Sequence, residues 1–326
     1  MSLAPKNKSW KPSAQLSELR LRADVLNNIR AFFAARHVLE VETPLMCSTS
    51  VTDPFIESIP ASYQSHPHQA TVTYYLQTSP EYAMKRLLAA DSGSIFQLCK
   101  SFRQGEQGRL HNPEFTMLEW YRIGFDHLQL MHEVDELLQL ILRTQSADRI
   151  TYQELFFHHL NLDAFTASLD DLRACAKANN LNTHDDINDR DTWLNLLLTH
   201  CIEPKLGPER PCMIYDFPAS QSALARINAD GKTAARFEVY YHGMELANGF
   251  HELQNADEQR RRFELNNKKR EAEHLKQMPI DELFLQSLAN GFPDCAGVAL
   301  GVDRLVMLAA GKNCIQDVIS FDISRV

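Results

Sequence analysis

One stretch limits the fold of this chain more than any other. Ile95-Phe96-Gln97-Leu98-Cys99-Lys100-Ser101-Phe102-Arg103 reads as a strand, and Asn112 to Arg122 reads as a second strand returning after a loop. Strands joined this closely pair antiparallel, because parallel partners need a long crossover. The turn and its flanks carry Arg103, Gln104, Gly105, His111, Asn112 and Phe115. An arginine offers a permanent planar cation to a phosphate oxygen or a carboxylate, and a phenylalanine ring lies flat on a purine. Far downstream, Gly297-Val298-Ala299-Leu300-Gly301-Val302-Asp303-Arg304 ends in a second arginine after small residues. Arg103 and Arg304 are thus the first candidates for catalytic cations.

Composition bounds the rest. With 326 residues and 44% apolar content the chain can bury a sizeable core. No apolar run approaches the roughly 20 residues that span a bilayer, and the polar start from Met1 to Pro12 lacks the apolar core of an export signal. A cytoplasmic protein without membrane contact is expected. The seven cysteines form no C-x-x-C pair, so neither a zinc site nor a disulfide framework is expected. A net charge of −9 argues against nucleic-acid binding through bulk electrostatics. It leaves room for a local basic patch, and Asp257 to Lys276 holds Arg260-Arg261-Arg262 and Lys268-Lys269-Arg270. Interspersed Glu264, Glu271 and Glu273 also fit a plain solvated helix.

Leu16 to Arg36 predicts an amphipathic helix with Leu19, Leu26, Ile29 and Phe33 on one face, leading to an extended His37–Pro44. Thr78-Ser79-Pro80-Glu81 opens another helix, with Ser79 as N-cap and Pro80 in the first helical position. Asp126 and Gln129 predict a capping box before a helix that buries Leu128, Met131, Val134, Leu138 and Ile141. Short helical patterns follow, including Ser168–Asn179 and Arg190–Cys201.

Arg236 to Phe250 predicts a hairpin turning at His242-Gly243. A two-residue turn sets Tyr240 opposite Glu245 and Glu238 opposite Ala247. Glu238 and Glu245 then share a face about 7–8 Å apart at the backbone. Two carboxylates so placed repel unless a cation joins them, and Mg²⁺ takes one or two carboxylates together with nucleotide phosphates. Glu252, just beyond, is either an exposed charge or a carboxylate awaiting a cationic partner.

Thr78-Ser79-Pro80-Glu81, His111-Asn112-Pro113-Glu114-Phe115-Thr116-Met117-Leu118-Glu119 and Glu245-Leu246-Ala247-Asn248-Gly249-Phe250 together resemble the lysyl-type class II aminoacyl-tRNA synthetases. The likeness runs from about residue 15 to the C-terminus. Leu16–Pro44 resembles motif 1 of that family, Phe102–Phe115 motif 2 and Gly297–Arg304 motif 3. The implied fold is α+β, an antiparallel β-sheet flanked by helices. It would be one catalytic domain over residues 1–326, with residues 126–210 as a helical insertion and motif 1 as the interface of a homodimer. What precedes Leu16 is too short for the OB-fold anticodon-binding domain of a tRNA-charging enzyme. The whole length resembles instead the free-standing members that modify elongation factor P, particularly at Phe217-Pro218-Ala219-Ser220-Gln221 and Cys295–Arg304.

The resemblance implies ATP and Mg²⁺ as cofactors, (R)-β-lysine as substrate and elongation factor P as acceptor, with tRNA unlikely. Arg103 would meet the α-phosphate and the substrate carboxylate, with His111 and Arg304 by the distal phosphates. Phe115 and Arg304 would sandwich the adenine, and backbone around Gln104, Gly105, Asn112, Leu246 and Gly301 would complete the ATP site. Glu238 and Glu245 would hold magnesium. Ser79, Pro80, Glu81 and Glu119 would surround the substrate amino group, Asn248 its carboxylate, and Tyr121 with Glu252 its distal ammonium. Two departures stand out: Gly105 replaces the usual motif 2 glutamate, with Glu106 one step later, and Ala299 replaces a glycine common in lysyl enzymes. The alternatives are an α-lysine enzyme charging tRNA or a small acceptor, and an inactive regulatory relative.

Overall fold

The computed structural model describes residues 10–181 and 187–326, so most of the polar start lies outside the described residues. The chain divides into two compact units, Met1–Ile123 with Gln254–Asp294 and Ala299–Val326, and Gly124–Leu253 with Cys295–Val298.

The first unit opens with α1 (Leu16–Ala34), which buries Val25, Ile29, Phe32 and Phe33. The buried stripe is displaced from the expected one, leaving Leu19 and Leu26 only half covered. Phe33 is the anchor: its ring stacks on Phe96 at 4.5 Å and meets Trp120 edge-on at 5.3 Å. There follow β1 (Leu39–Glu40), β2 (Met46–Cys47), β3 (Pro60–Tyr63), β4 (Val72–Leu76), α2 (Glu81–Ala89), β5 (Ile95–Phe102) and β6 (Glu114–Ile123). β5 and β6 pair antiparallel from Ile95↔Tyr121 to Phe102↔Glu114, as the sequence requires. β1 joins β5 in parallel, and β2-β4-β3 form a separate three-stranded sheet. α2 starts one residue later than expected. Pro80 is the N-cap, without a side-chain capping bond, so Ser79 does not cap the helix.

In the second unit, α3 (His127–Leu142) begins with the expected Asp126–Gln129 capping box. Its buried side chains include Leu130, Met131, Val134, Leu137 and Leu138, while Leu128 is exposed. Next come β7 (Asp148–Thr151), α4 (Tyr152–Leu160), α5 (Leu169–Ala178), α6 (Arg190–Leu197), β8 (Cys212–Pro218), β9 (Thr233–Tyr241) and β10 (Met244–His251). β8, β9 and β10 pair antiparallel and β7 runs parallel to β8. The stretch between α3 and β8 builds a core of its own, where Trp193, Phe156 and Leu197 meet Tyr152 and Phe217.

The chain then returns to the first unit through α7 (Ala256–Ala272) and α8 (Glu282–Ala289). Strand β11 (Cys295–Gly301) leads into α9 (Val302–Ala309), which packs on β6. The class is α+β with antiparallel pairing dominant, while β1–β5 and β7–β8 run parallel. None of the seven cysteines forms a disulfide.

Candidate active site

The loop closing β5 and β6 brings its charged and aromatic groups onto one another. Arg103 lies over the Phe115 ring, 5.1 Å from the centroid, and reaches Glu106 at 3.5 Å. Its Nε is buried with no hydrogen-bond partner among the described residues. An unsatisfied N–H on a cation is costly, and an incoming anion would satisfy it. Gly105 adopts φ +82°, where a side chain would be strained, so the residue that departs from the family pattern also makes this turn. Gln104 is tied by its backbone N–H to the Glu57 carbonyl at 2.8 Å. Asn112 is buried and structural in its side chain: Nδ2 donates to the Glu114 carbonyl at 2.7 Å and Oδ1 accepts from the Ile323 N–H at 3.0 Å.

Gly301 precedes the first turn of α9, and Arg304 stands within that turn. Arg304 Nη2 meets His111 Nε2 at 2.6 Å. Desolvation, then the Arg304 guanidinium, hold the His111 imidazole below its ordinary range, so the ring is the neutral acceptor in this pair. Arg103 with Phe115 and Arg304 with His111 thus form two contacts, cation on ring and cation on imidazole.

The residues expected around the substrate amino group divide. Glu119 is buried on β6 and accepts from the Tyr121 hydroxyl at 2.7 Å. Glu81 already holds a cation of the chain itself, the buried Lys85 ammonium, at 2.6 Å. Lys85 also lies 6.0 Å from the Tyr121 ring centroid. The sequence reading missed this lysine, although the Glu81–Lys85 spacing of one helical turn was there to be seen. Ser79 and Pro80 line a cavity of about 450 Å³ walled by Pro44, Thr49, Arg86 and Asp281. Ala299 is half-buried in β11.

On the second unit, His242 (φ +51°) and Gly243 (φ +67°) make the expected two-residue turn, both in the left-handed region that a tight hairpin favours. Tyr240 opposes Glu245 as expected, but the register then shifts between Glu245 and Ala247. Asn248, not Ala247, therefore opposes Glu238. A β-bulge inserts one residue on one strand, and Leu246 is buried there. Glu238 is buried and held by Arg236, by the Tyr240 hydroxyl at 2.6 Å and by Asn248 Nδ2 at 3.4 Å. Burial and the Glu238 charge push the Tyr240 phenol well up. The Asn248 amide donor is thus engaged, and its Oδ1 is the buried atom with no hydrogen-bond partner among the described residues. That oxygen can accept from an ammonium donor, and the second N–H of the amide can still serve the expected substrate carboxylate. Glu252 is also buried, its backbone fixed by an N–H bond to the Cys295 carbonyl at 3.0 Å.

Among the described residues no three His, Cys, Asp or Glu side chains cluster as a protein-only metal cage. Two carboxylates on one hairpin face fit Mg²⁺ nonetheless, since this ion keeps waters and takes phosphate oxygens. Arg236 already offsets the Glu238 charge, and Glu245 is partly exposed.

Residues 9–325 match the family model for class II tRNA synthetases (D, K and N). The chain is 53% identical over 319 residues to an elongation factor P–(R)-β-lysine ligase of Salmonella typhi. It is 54% identical to the ligase of the same name from Salmonella gallinarum. Each alignment covers 97% of this chain and 98% of the relative. A likeness of this extent, on a fold and a motif order that match, means that the chain belongs to the class II tRNA synthetase family.

Proposed function

We propose that this protein is a ligase that activates (R)-β-lysine with ATP and transfers it to a lysine side chain of elongation factor P. The end-to-end match to ligases of that name carries this reading, since 98% of the relative's length is covered. The arginines and carboxylates needed for activation are all present, which speaks against an inactive relative. A homodimer working in the cytoplasm is the assembly we propose.

The first step is attack of the β-lysine carboxylate on the α-phosphorus of ATP. A P–O bond forms to the carboxylate, the bond to pyrophosphate breaks, and an acyl-adenylate results. The carboxylate is already ionised, so no base is needed. Arg103 meets the charge gathering on the α-phosphate, and its unsatisfied buried Nε supports that role. Phe115 and Arg304 hold the adenine, and neutral His111 orients Arg304. Mg²⁺, held by Glu245 and Glu238, would supply further charge neutralisation on the phosphates. Glu252, Glu119 and Tyr121 receive the cationic groups of the substrate. In the second step a deprotonated lysine ε-amine of the acceptor attacks the adenylate carbonyl. An amide forms, AMP leaves, and the amine loses a proton.

Amino-acid-dependent ATP–pyrophosphate exchange tests the activation step. Exchange should be faster with (R)-β-lysine than with α-lysine, and Ala299→Gly should narrow the gap, one methyl being worth about 1–3 kcal/mol. Equal or greater exchange with α-lysine would refute the substrate assignment.

A further inference from the structure

Arg22 stands in the middle of α1, remote in sequence from both motif arginines, yet its side chain is only 14% exposed. Its Nη1 donates to Asp303 Oδ1 at 2.6 Å and its Nη2 to Thr116 Oγ1 at 2.7 Å. The Thr116 backbone N–H closes the ring by donating to Asp303 Oδ2 at 2.6 Å. Asp303 is buried, so its charge would be costly alone, and here both of its oxygens are met by donors. Each partner of Arg22 is bonded in sequence to a nucleotide-facing residue: Thr116 follows Phe115, and Asp303 precedes Arg304.

We propose that Arg22 is a positioning residue for nucleotide binding, whose single guanidinium locks Thr116 to Asp303 and so fixes the gap between Phe115 and Arg304. This rests on the reading of those two residues as the adenine clamp. The planar fork matters. A lysine keeps the charge and one contact with Asp303, but cannot present two fixed parallel donors to both partners. Thr116→Val removes only the hydroxyl and leaves the backbone bond to Asp303 in place.

The test is pyrophosphate exchange with Arg22→Lys and with Thr116→Val, measuring KM for ATP and for β-lysine together with the melting temperature. KM for ATP should rise about tenfold in each, roughly 1.4 kcal/mol. KM for β-lysine should stay within about twofold, and the double variant should be no worse than Arg22→Lys alone. If Arg22→Lys does not fold, Thr116→Val carries the test. Parallel loss for both substrates would mean a general structural role and overturn the proposal, as would an unchanged KM for ATP. Phe115→Ala separates the two ways of failing. If it raises KM for ATP while the others do not, the clamp stands and the role of Arg22 falls. If it too leaves KM unchanged, the clamp reading falls and the proposal with it.

Discussion

In the proposed mechanism activation turns on Arg103, facing the α-phosphate, and on Arg304, which we read as facing both the adenine and the distal phosphates. Replacing either with alanine should lower pyrophosphate exchange about 10²-fold or more with the fold intact, by circular dichroism. Near-normal exchange would remove them from the active site. His111 gives a second check. Desolvation and the Arg304 charge depress its titration, so in the ATP-free protein its NMR midpoint should lie below 6.5. The sign follows: the unfolded chain takes up that proton first, so His111 favours the folded state less as pH falls below about 6.5. Anionic phosphates should move the midpoint up when ATP binds, and a free midpoint above 6.5 would contradict the contact. These residues were legible because motif spacing marks them. Arg22 was not, since its partners lie 94 and 281 residues away. Arg236 was missed for a different reason: on a strand, two residues from Glu238, it looks like any other charge until the fold buries the pair.

Hairpin and helix show what pattern reading can and cannot reach at the level of elements. Turn chemistry placed the β9–β10 hairpin, but a bulge leaves no periodic signal, so the register beyond Glu245 was off by one. Gly249 is the position most sensitive to this packing. It faces Phe237 across the ladder, and an added Cβ would fall 2.4 Å from that ring and 3.0 Å from Val298 Cβ. Gly249→Ala should cost about 1–3 kcal/mol by overpacking, read as a fall in the urea midpoint. An unchanged midpoint would mean that Phe237 swings clear. Helix α7 starts one residue before the expected Asp257 and ends at Ala272, short of the expected Lys276, and its arginine run is no open patch. Arg260 pairs with Glu282, while Arg261 and Arg262 both reach Glu258. Arg261 foremost, then Arg262, hold the Glu258 carboxyl at about 2. Its contribution is therefore present above about pH 4.3 and fades as pH falls from there towards 2. Glu258→Gln should cost less than about 1 kcal/mol at pH 7, because the group is partly exposed, and the difference should vanish in acid. A penalty that persists in acid would assign Glu258 a packing role instead.

For the molecule as a whole, motif order made the family and the α+β class legible, because a strand–loop–strand with its arginine leaves few folds open. The packing of the α4–α6 stretch stayed hidden, being irregular in period and visible only once Trp193 and Phe156 share a core. Leu39, Leu45 and Met46 leave apolar side chains exposed around Pro44, which supports the proposed dimer through this segment. The protein should sediment as a dimer at micromolar concentration, and Leu39→Asp with Met46→Glu should yield monomer. A wild-type monomer would end that proposal. The central claim is ligation of β-lysine to a protein, and intact-mass analysis of elongation factor P tests it most directly. Incubated with the purified enzyme, ATP, Mg²⁺ and (R)-β-lysine, elongation factor P should gain a single β-lysyl group on one lysine. It should gain none with Arg103→Ala. Elongation factor P that stays unmodified while tRNA is charged with lysine would contradict the account.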